Sequence, residues 1–486
     1  MIEDLKRTFN QTVIYSLGNI LPKLVGFILL PLYTSHLSTS EFGILAILQA
    51  SSQILIGVLG FNIHTSMMRW LVIDKSIKYQ KSIIYTALVS SFTISFFMCI
   101  ALIPFSNQFS VLLFGHANFK NYIFLLIISS AIGIINNIPL NILRYHEKAV
   151  RYIWVSVVKF AIILILNFYF LTQTSYEIEG ILIAEIIGGA VLIIQTISYT
   201  FQNINLVFNF NAFIEMFKYG FPLIFSTTSA LILSLSDRFI IKYFLNDSSV
   251  GVYSLGNKIA GFINVFIIQS FQLGFLPIAF KKLQDANSKR FFIKVFTYFN
   301  LVLTFFALLL SLFSKEIITK FASQKDYWDA YIVIPVLSLA FVLRGAQYIV
   351  SLSFHYTKQT SYNAYIIMLS AIINVALNIV FIPLLGIIGA AWSFLISQFF
   401  LLIISNYYAQ KLFPLKFEYL KNIELLLLFI LIYFLTQIII IENSAVMFTL
   451  KLLLIVLFPF ILKYINFYEE VELEKIKYFW NKIKKK

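Results

Sequence analysis

The residues of this chain that could do chemistry are charges in places where charge is expensive. Of the 37 basic residues, six fall inside long apolar stretches: Lys23, Lys159, Arg238, Lys258, Arg344 and Lys451. The acids in similar surroundings are Asp237, Glu185 and Glu424. A charge at the centre of a bilayer costs at least about 2.5–3.5 kcal/mol on insertion scales, so such residues face a protein interior or a wet cavity. Here the basic ones outnumber the acidic ones. That is the sign needed to neutralise an anion such as phosphate, through charge-assisted hydrogen bonds.

Each candidate has its own setting. Lys23 follows Pro22, which removes a backbone donor and can bend a helix at the cation. Arg238 and Lys258 can form one cationic patch. Asp237 precedes Arg238, and side chains of adjacent helical residues diverge by about 100°. We therefore expect Asp237 to pair with Lys258 or Lys23 rather than with Arg238. Lys159 and Glu185 are expected to form a buried ion pair. Arg69 ends an apolar run within snorkelling range of an interface, and Lys451 is read as snorkelling. The candidate ligand-binding residues are thus Lys23, Arg69, Arg238, Lys258 and Arg344. Asp237, Glu185 and Lys159 are candidates for H+ or Na+ coupling or for salt bridges. Asn62, Gln53 and other amides in the apolar runs can hold helices together or bond to a polar ligand.

The elements that position these residues follow from composition. Of the 486 residues, 60% are hydrophobic and 12% charged, with a mean hydropathy of +0.86. Soluble domains carry about 25% charged residues. That excludes a soluble enzyme, a secreted domain and a disordered chain, and leaves an all-α polytopic membrane protein. A span needs roughly 20 apolar residues. Fourteen are predicted, at about 12–33, 42–66, 82–105, 121–142, 152–172, 178–201, 216–243, 250–280, 291–313, 328–353, 362–383, 386–409, 422–441 and 444–466. With the N-terminus inside, 26 basic residues fall in inner segments and five (Lys120, Lys242, Lys315, Lys320 and Lys325) in outer ones. The bias places both termini in the cytoplasm. It also accounts for most of the net charge of +15, so no nucleic-acid partner is expected. The segment 467–486 reads as a basic cytoplasmic tail. The single Cys99 excludes a disulfide framework. Gly251-x4-Gly256-Asn257-Lys258 lacks the Ser/Thr of a phosphate loop, and no metal-ligand spacing occurs, so no cofactor is expected.

The chain repeats itself. Leu37-x5-Gly43 matches Leu245-x5-Gly251 at an offset of 208, LNFYFL at 166–171 matches LNIVFI at 377–382, and Gly180 matches Gly389. A duplicated six-span unit predicts two parallel lobes related by a pseudo-two-fold along the membrane normal, with a ligand site between them. The lobes would be 1–205 (spans 1–6) and 206–412 (spans 7–12), with spans 13–14 appended at 413–466.

The stretch SDRFIIKYFLNDSSVGVYSLGNKIAGF (236–262) resembles the span 7–8 region of Wzx-type polysaccharide flippases. These belong to the multidrug/oligosaccharidyl-lipid/polysaccharide exporter (MOP) superfamily. LLPLYTSHLSTSEFGILAILQ (29–49) and GFNIHTSMMRW (60–70) resemble the family's span 1–2 region. The resemblance implies a MATE-like MOP fold that alternates between inward- and outward-facing states, and no enzymatic activity. It implies an undecaprenyl-diphosphate-linked oligosaccharide as substrate, flipped across the bacterial inner membrane for surface polysaccharide or O-antigen synthesis. Membrane lipids, a polysaccharide polymerase and a chain-length regulator are the further partners implied. The added span pair argues for a lipid-linked substrate, because such a pair forms a lipid-tail groove in lipid II flippases. Two alternatives stay open: an ion-coupled drug or metabolite exporter of the same superfamily, and a membrane glycan polymerase.

Overall fold

In lipid a chain must satisfy its backbone polar groups internally, and helices do this within one segment. The computed structural model describes residues 26–74, 76–282, 288–439 and 443–470, and among them no strand occurs. In chain order the helices are α1 (26–36), α2 (Thr39–Leu59), α3 (Ile63–Ile73), α4 (Ile77–Leu102), α5 (Ser106–Phe114) and α6 (Lys120–Tyr145). Then come α7 (Ala149–Gln173), α8 (Glu177–Gln202), α9 (Phe210–Phe244), α10 (Asp247–Ala260), α11 (Gln269–Lys282) and α12 (Ser288–Leu312). The last six are α13 (Ser314–Phe321), α14 (Ile334–Tyr356), α15 (Thr360–Leu385), α16 (Ile387–Leu412), α17 (Tyr419–Ile438) and α18 (Ser444–Tyr464). Thirteen helical stretches among the described residues are long and apolar enough to cross a membrane, so this is a multi-pass membrane protein. Of the first predicted span only α1 lies within the described residues. Lys23 lies outside them, as does the tail beyond residue 470.

The span predicted at 42–66 is not continuous. It breaks between α2 and α3, where Phe61 and Asn62 adopt left-handed φ values of 48° and 49°. Hydropathy continues through the break, so the sequence pattern conceals it. Gly220 of α9 packs onto this point: a Cβ there would lie 2.2 Å from the Phe61 carbonyl oxygen. The span predicted at 250–280 is also interrupted, by a π-helical segment Ile263–Ile268 between α10 and α11. The boundary predicted near Pro383 and Gly386 is a one-residue joint, with Gly386 at φ 65° and ψ −143°. Only glycine occupies that region without strain.

The repeated glycines meet each other. A Cβ on Gly43 would lie 1.9 Å from the carbonyl oxygen of Asp247, and one on Gly251 would lie 1.9 Å from that of Thr39. The contact is reciprocal at the 208-residue offset, and α2 and α10 touch backbone to backbone. The Thr39 and Ser248 hydroxyls bond across it at 2.7 Å. Both helices also start alike, with Ser38 capping the Glu41 N–H and Asn246 capping the Ser249 N–H. A loop after α13 straps the same end. The Tyr327 hydroxyl sits 3.0 and 2.9 Å from the carbonyls of Leu37 and Ser38, and the Thr34 hydroxyl donates to the Phe321 carbonyl at 2.7 Å.

The last two helices are pinned by charge at both ends. Lys451 of α18 does not snorkel: it is 8% exposed and pairs with Glu316 of α13 at 2.5 Å. That partner lies 135 residues away in sequence. At the other end Lys294 of α12 bonds to Glu418 at 2.7 Å and to Glu469 at 2.5 Å, and Thr297 donates to Glu418 at 2.7 Å. Burial pushes the Glu418 carboxyl up, but the hydrogen bonds from Lys294 and Thr297 outweigh it and hold the group below its usual range. The Lys294 hydrogen bond does the same for Glu469. Carboxyls depressed in the folded state stabilise it fully above their unfolded value, about 4.5, and lose that contribution as pH falls through the lower folded value. The melting temperature of the detergent-purified protein should therefore be flat from about pH 5 to 8 and drop below about pH 4.5. The Lys294→Met variant should begin with a lower melting temperature and show a shallower acid drop. An unchanged acid drop in that variant would dissociate it from this cluster.

Candidate functional site

Part of the set of membrane-embedded charges meets at one cavity of about 560 Å³ among the helices. It is lined from α1 by Phe27 and Tyr33, from α2 by Gln49 and Gln53, from α7 by Phe160, and from α8 by Glu185. Ser234 and Arg238 of α9, Asn257 and Lys258 of α10, Asn264 of the π-helical segment, and Arg344 of α14 complete its polar lining. Five of the residues singled out in the sequence thus share it: Gln53, Glu185, Arg238, Lys258 and Arg344.

They are not equally free. Arg238 is already engaged. Its guanidinium curls back along α9 to Asp237 Oδ1 at 3.1 Å and to the Ser234 carbonyl at 3.1 Å, and its backbone N–H also donates to Asp237. The expectation that Asp237 and Arg238 would not pair is therefore wrong. The 100° divergence applies at Cβ, and the arginine side chain is long enough to fold back across it. The other Asp237 oxygen accepts from the Tyr253 hydroxyl at 2.5 Å. Asp237 is 4% exposed and does not line the cavity.

Lys258 and Arg344 differ. Among the described residues neither has a carboxylate within ion-pair distance, and Arg344 makes no hydrogen bond. The Lys258 ammonium rests over aromatic faces, 4.8 Å from the Phe42 ring centre and 5.9 Å from that of Tyr33. Such contacts attract a cation without neutralising it. Tyr33 is held in turn by its hydroxyl bond to Asn167 at 3.2 Å.

Two further expectations are corrected. Lys159 and Glu185 do not close to an ion pair: they act on each other electrostatically, while the Ser129 hydroxyl donates to the Glu185 carboxyl at 3.4 Å and Gln49 lines the same cavity. The Lys159 ammonium lies 5.7 Å from the Phe160 ring centre. Arg69 stands outside the cavity. It lies on α3, beyond the break, exposed, with its guanidinium 4.3 Å from the Tyr219 ring centre. The neighbouring Trp70 donates its indole N–H to Glu215 at 3.0 Å, which ties α3 to α9.

The sequence reading missed Tyr33, Gln49, Asn257, Asn264 and Ser234. Two signals could have found part of this set. Gln49 and Gln53 are four apart and share a helix face. Gln49 and Asn257 are also related by the same 208-residue offset as Gly43 and Gly251.

Comparison with known proteins adds to this geometry. A family model described as "Polysaccharide biosynthesis protein" matches residues 9–284. An uncharacterised membrane protein of Haemophilus influenzae is 23% identical over 393 residues, covering 78% of this chain and 93% of that protein. Among solved structures, the lipid II flippase MurJ in an inward closed conformation superposes with a TM-score of 0.74 at 16% identity, covering 94% of this chain and all of that one. An inward-facing multidrug resistance MATE family transporter of the MOP superfamily gives 0.67 at 14% identity, covering 82% and 97%. At these identities the likeness establishes the fold.

Proposed function

This chain belongs to the polysaccharide biosynthesis protein family, and from that premise we propose that it is a flippase for lipid-diphosphate-linked oligosaccharides. The observation that carries this reading is the pair of cations, Lys258 and Arg344, in one cavity inside a membrane protein, with no carboxylate within ion-pair distance of either among the described residues. A buried charge without a partner is costly. A diphosphate supplies the missing charge, and Arg344 can meet it with two parallel N–H donors. The cavity volume lies within the range of about 300–1,000 Å³ typical of ligand sites.

In this reading two lobes, 1–205 and 206–412, rock about the cavity in a bacterial inner membrane, with both termini cytoplasmic as the basic-residue bias supports. The α2–α10 contact closes the outer end while the diphosphate and its glycan enter from the cytoplasm. Rocking opens that contact and releases the head group outside, and the undecaprenyl tail stays in the bilayer beside α17 and α18. The protein moves its substrate without bond chemistry. The test is a proteoliposome assay with an undecaprenyl-diphosphate-linked fluorescent glycan. Protein-dependent transfer to the far leaflet, undiminished by cationic drugs, is expected. Transfer absent in folded protein, together with thermal stabilisation by cationic drugs alone, would favour a drug exporter.

A further inference from the structure

The polar lining of the cavity has two chemistries. From α10 and α14 come the cations Lys258 and Arg344. From α2 and α8 come Gln49, Gln53 and Glu185, amides and a carboxylate. A diphosphate is all acceptor, and a carboxylate repels it. Glu185 must therefore have another use.

Its bonding state says what that use is. A carboxyl group keeps acceptor lone pairs in either protonation state, about four when ionised. Ser129 fills one over a long 3.4 Å, and Gln49 lines the same cavity. Lys159 and Lys258 act on it electrostatically, yet neither approaches within ion-pair distance. Glu185 thus presents unused acceptor capacity to a cavity, beside two amides that both donate and accept. A group rich in hydroxyls satisfies such a set, since each hydroxyl donates once and accepts twice.

We infer that Gln49, Gln53 and Glu185 form a glycan-reading pole that recognises the hydroxyls of the sugar nearest the diphosphate. This rests on the flippase reading and deepens it: the cations hold what every such lipid shares, and this pole detects that a sugar has been attached. A flippase built this way discriminates against the bare lipid carrier.

The test measures binding of two probes to the purified full chain: undecaprenyl diphosphate, and the same lipid bearing one neutral N-acetylhexosamine. The wild type should bind the sugar-bearing probe about tenfold more tightly. Glu185→Ala, and independently the Gln49→Ala/Gln53→Ala double variant, should bring that ratio close to one. A ratio unchanged in whichever of these variants folds overturns the glycan pole. Lys258→Ala and Arg344→Ala should weaken both probes together and leave the ratio intact. If they weaken neither, the diphosphate reading fails instead, so the two failures are told apart.

Discussion

Oxidation of a Thr39→Cys/Ser248→Cys pair, in a Cys99→Ser background, should stop transport almost completely, and a reductant should restore it. The two native hydroxyls are 2.7 Å apart across the α2–α10 contact, so sulfur atoms in their place lie close to bonding distance. A covalent link there fixes the closed end, and a transporter that cannot open one end cannot turn over. The glycines below the link give the complementary result. A Cβ 1.9 Å from a carbonyl oxygen must move by more than 1 Å to reach even the 3.0 Å below which real contacts essentially never fall. Gly43→Ala or Gly251→Ala should therefore wedge the same end apart. The outcome to read is labelling of a cysteine placed at Gln53 by a membrane-impermeant reagent added outside. It should increase in the glycine variants and fall in the oxidised pair. Normal export by fully crosslinked protein would remove this contact from the transport cycle.

The second large effect concerns Lys258 and Arg344, which have no ion pair among the described residues. Hydrogen bonds to charged groups contribute about 1.5–3 kcal/mol each. Loss of either Lys258 or Arg344 should weaken binding of a diphosphate lipid about 10- to 100-fold, and loss of both about 10²- to 10⁴-fold. Arg344→Lys should recover only part of the loss, because an ammonium is a point charge without the planar fork. Arg238→Ala should behave differently. Its guanidinium is tied to Asp237, so its removal strands a buried carboxylate, a defect of about 3–5 kcal/mol. The expected symptom is a poorly folded or scarce protein rather than a weak binder. Titration of each purified variant against undecaprenyl diphosphate, beside its melting temperature, separates the two kinds of damage. Stable Arg238→Ala protein with the larger affinity loss would reverse the assignment.

What the sequence made legible and what it did not follow from the range of each interaction. Hydropathy is a sum over some 20 neighbouring residues, so the spans and their joint at Gly386 could be read locally. The repeat anchored on Gly43 and Gly251 could be read too, and the structure adds that these glycines touch. The cost of charge in lipid implied that Arg238, Lys258 and Arg344 face an interior or a wet cavity, but that the three share one cavity was visible only in the structure. Their states of neutralisation were not legible, because these depend on rotamers: the arginine folds onto its neighbour, while Lys258 finds rings instead of acids. Arg69 misled because apolar residues continue past Phe61 and Asn62, where the backbone turns. Lys451 misled because its partner, Glu316, is a loop-side acid far away in sequence.

The Lys451–Glu316 pair has a consequence for any shortened version of this chain. The sequence repeat ends before α17 and α18, so these two helices look removable. Yet Glu316 stands on α13, and α13 leads directly into the strap that carries Tyr327 onto the α1–α2 turn. A truncation before residue 413 would strand Glu316 at one end of the molecule and leave Lys294 without Glu418 at the other. The terminal helices are thus a buttress for the closed end, and their deletion should first appear as an exporter that leaks.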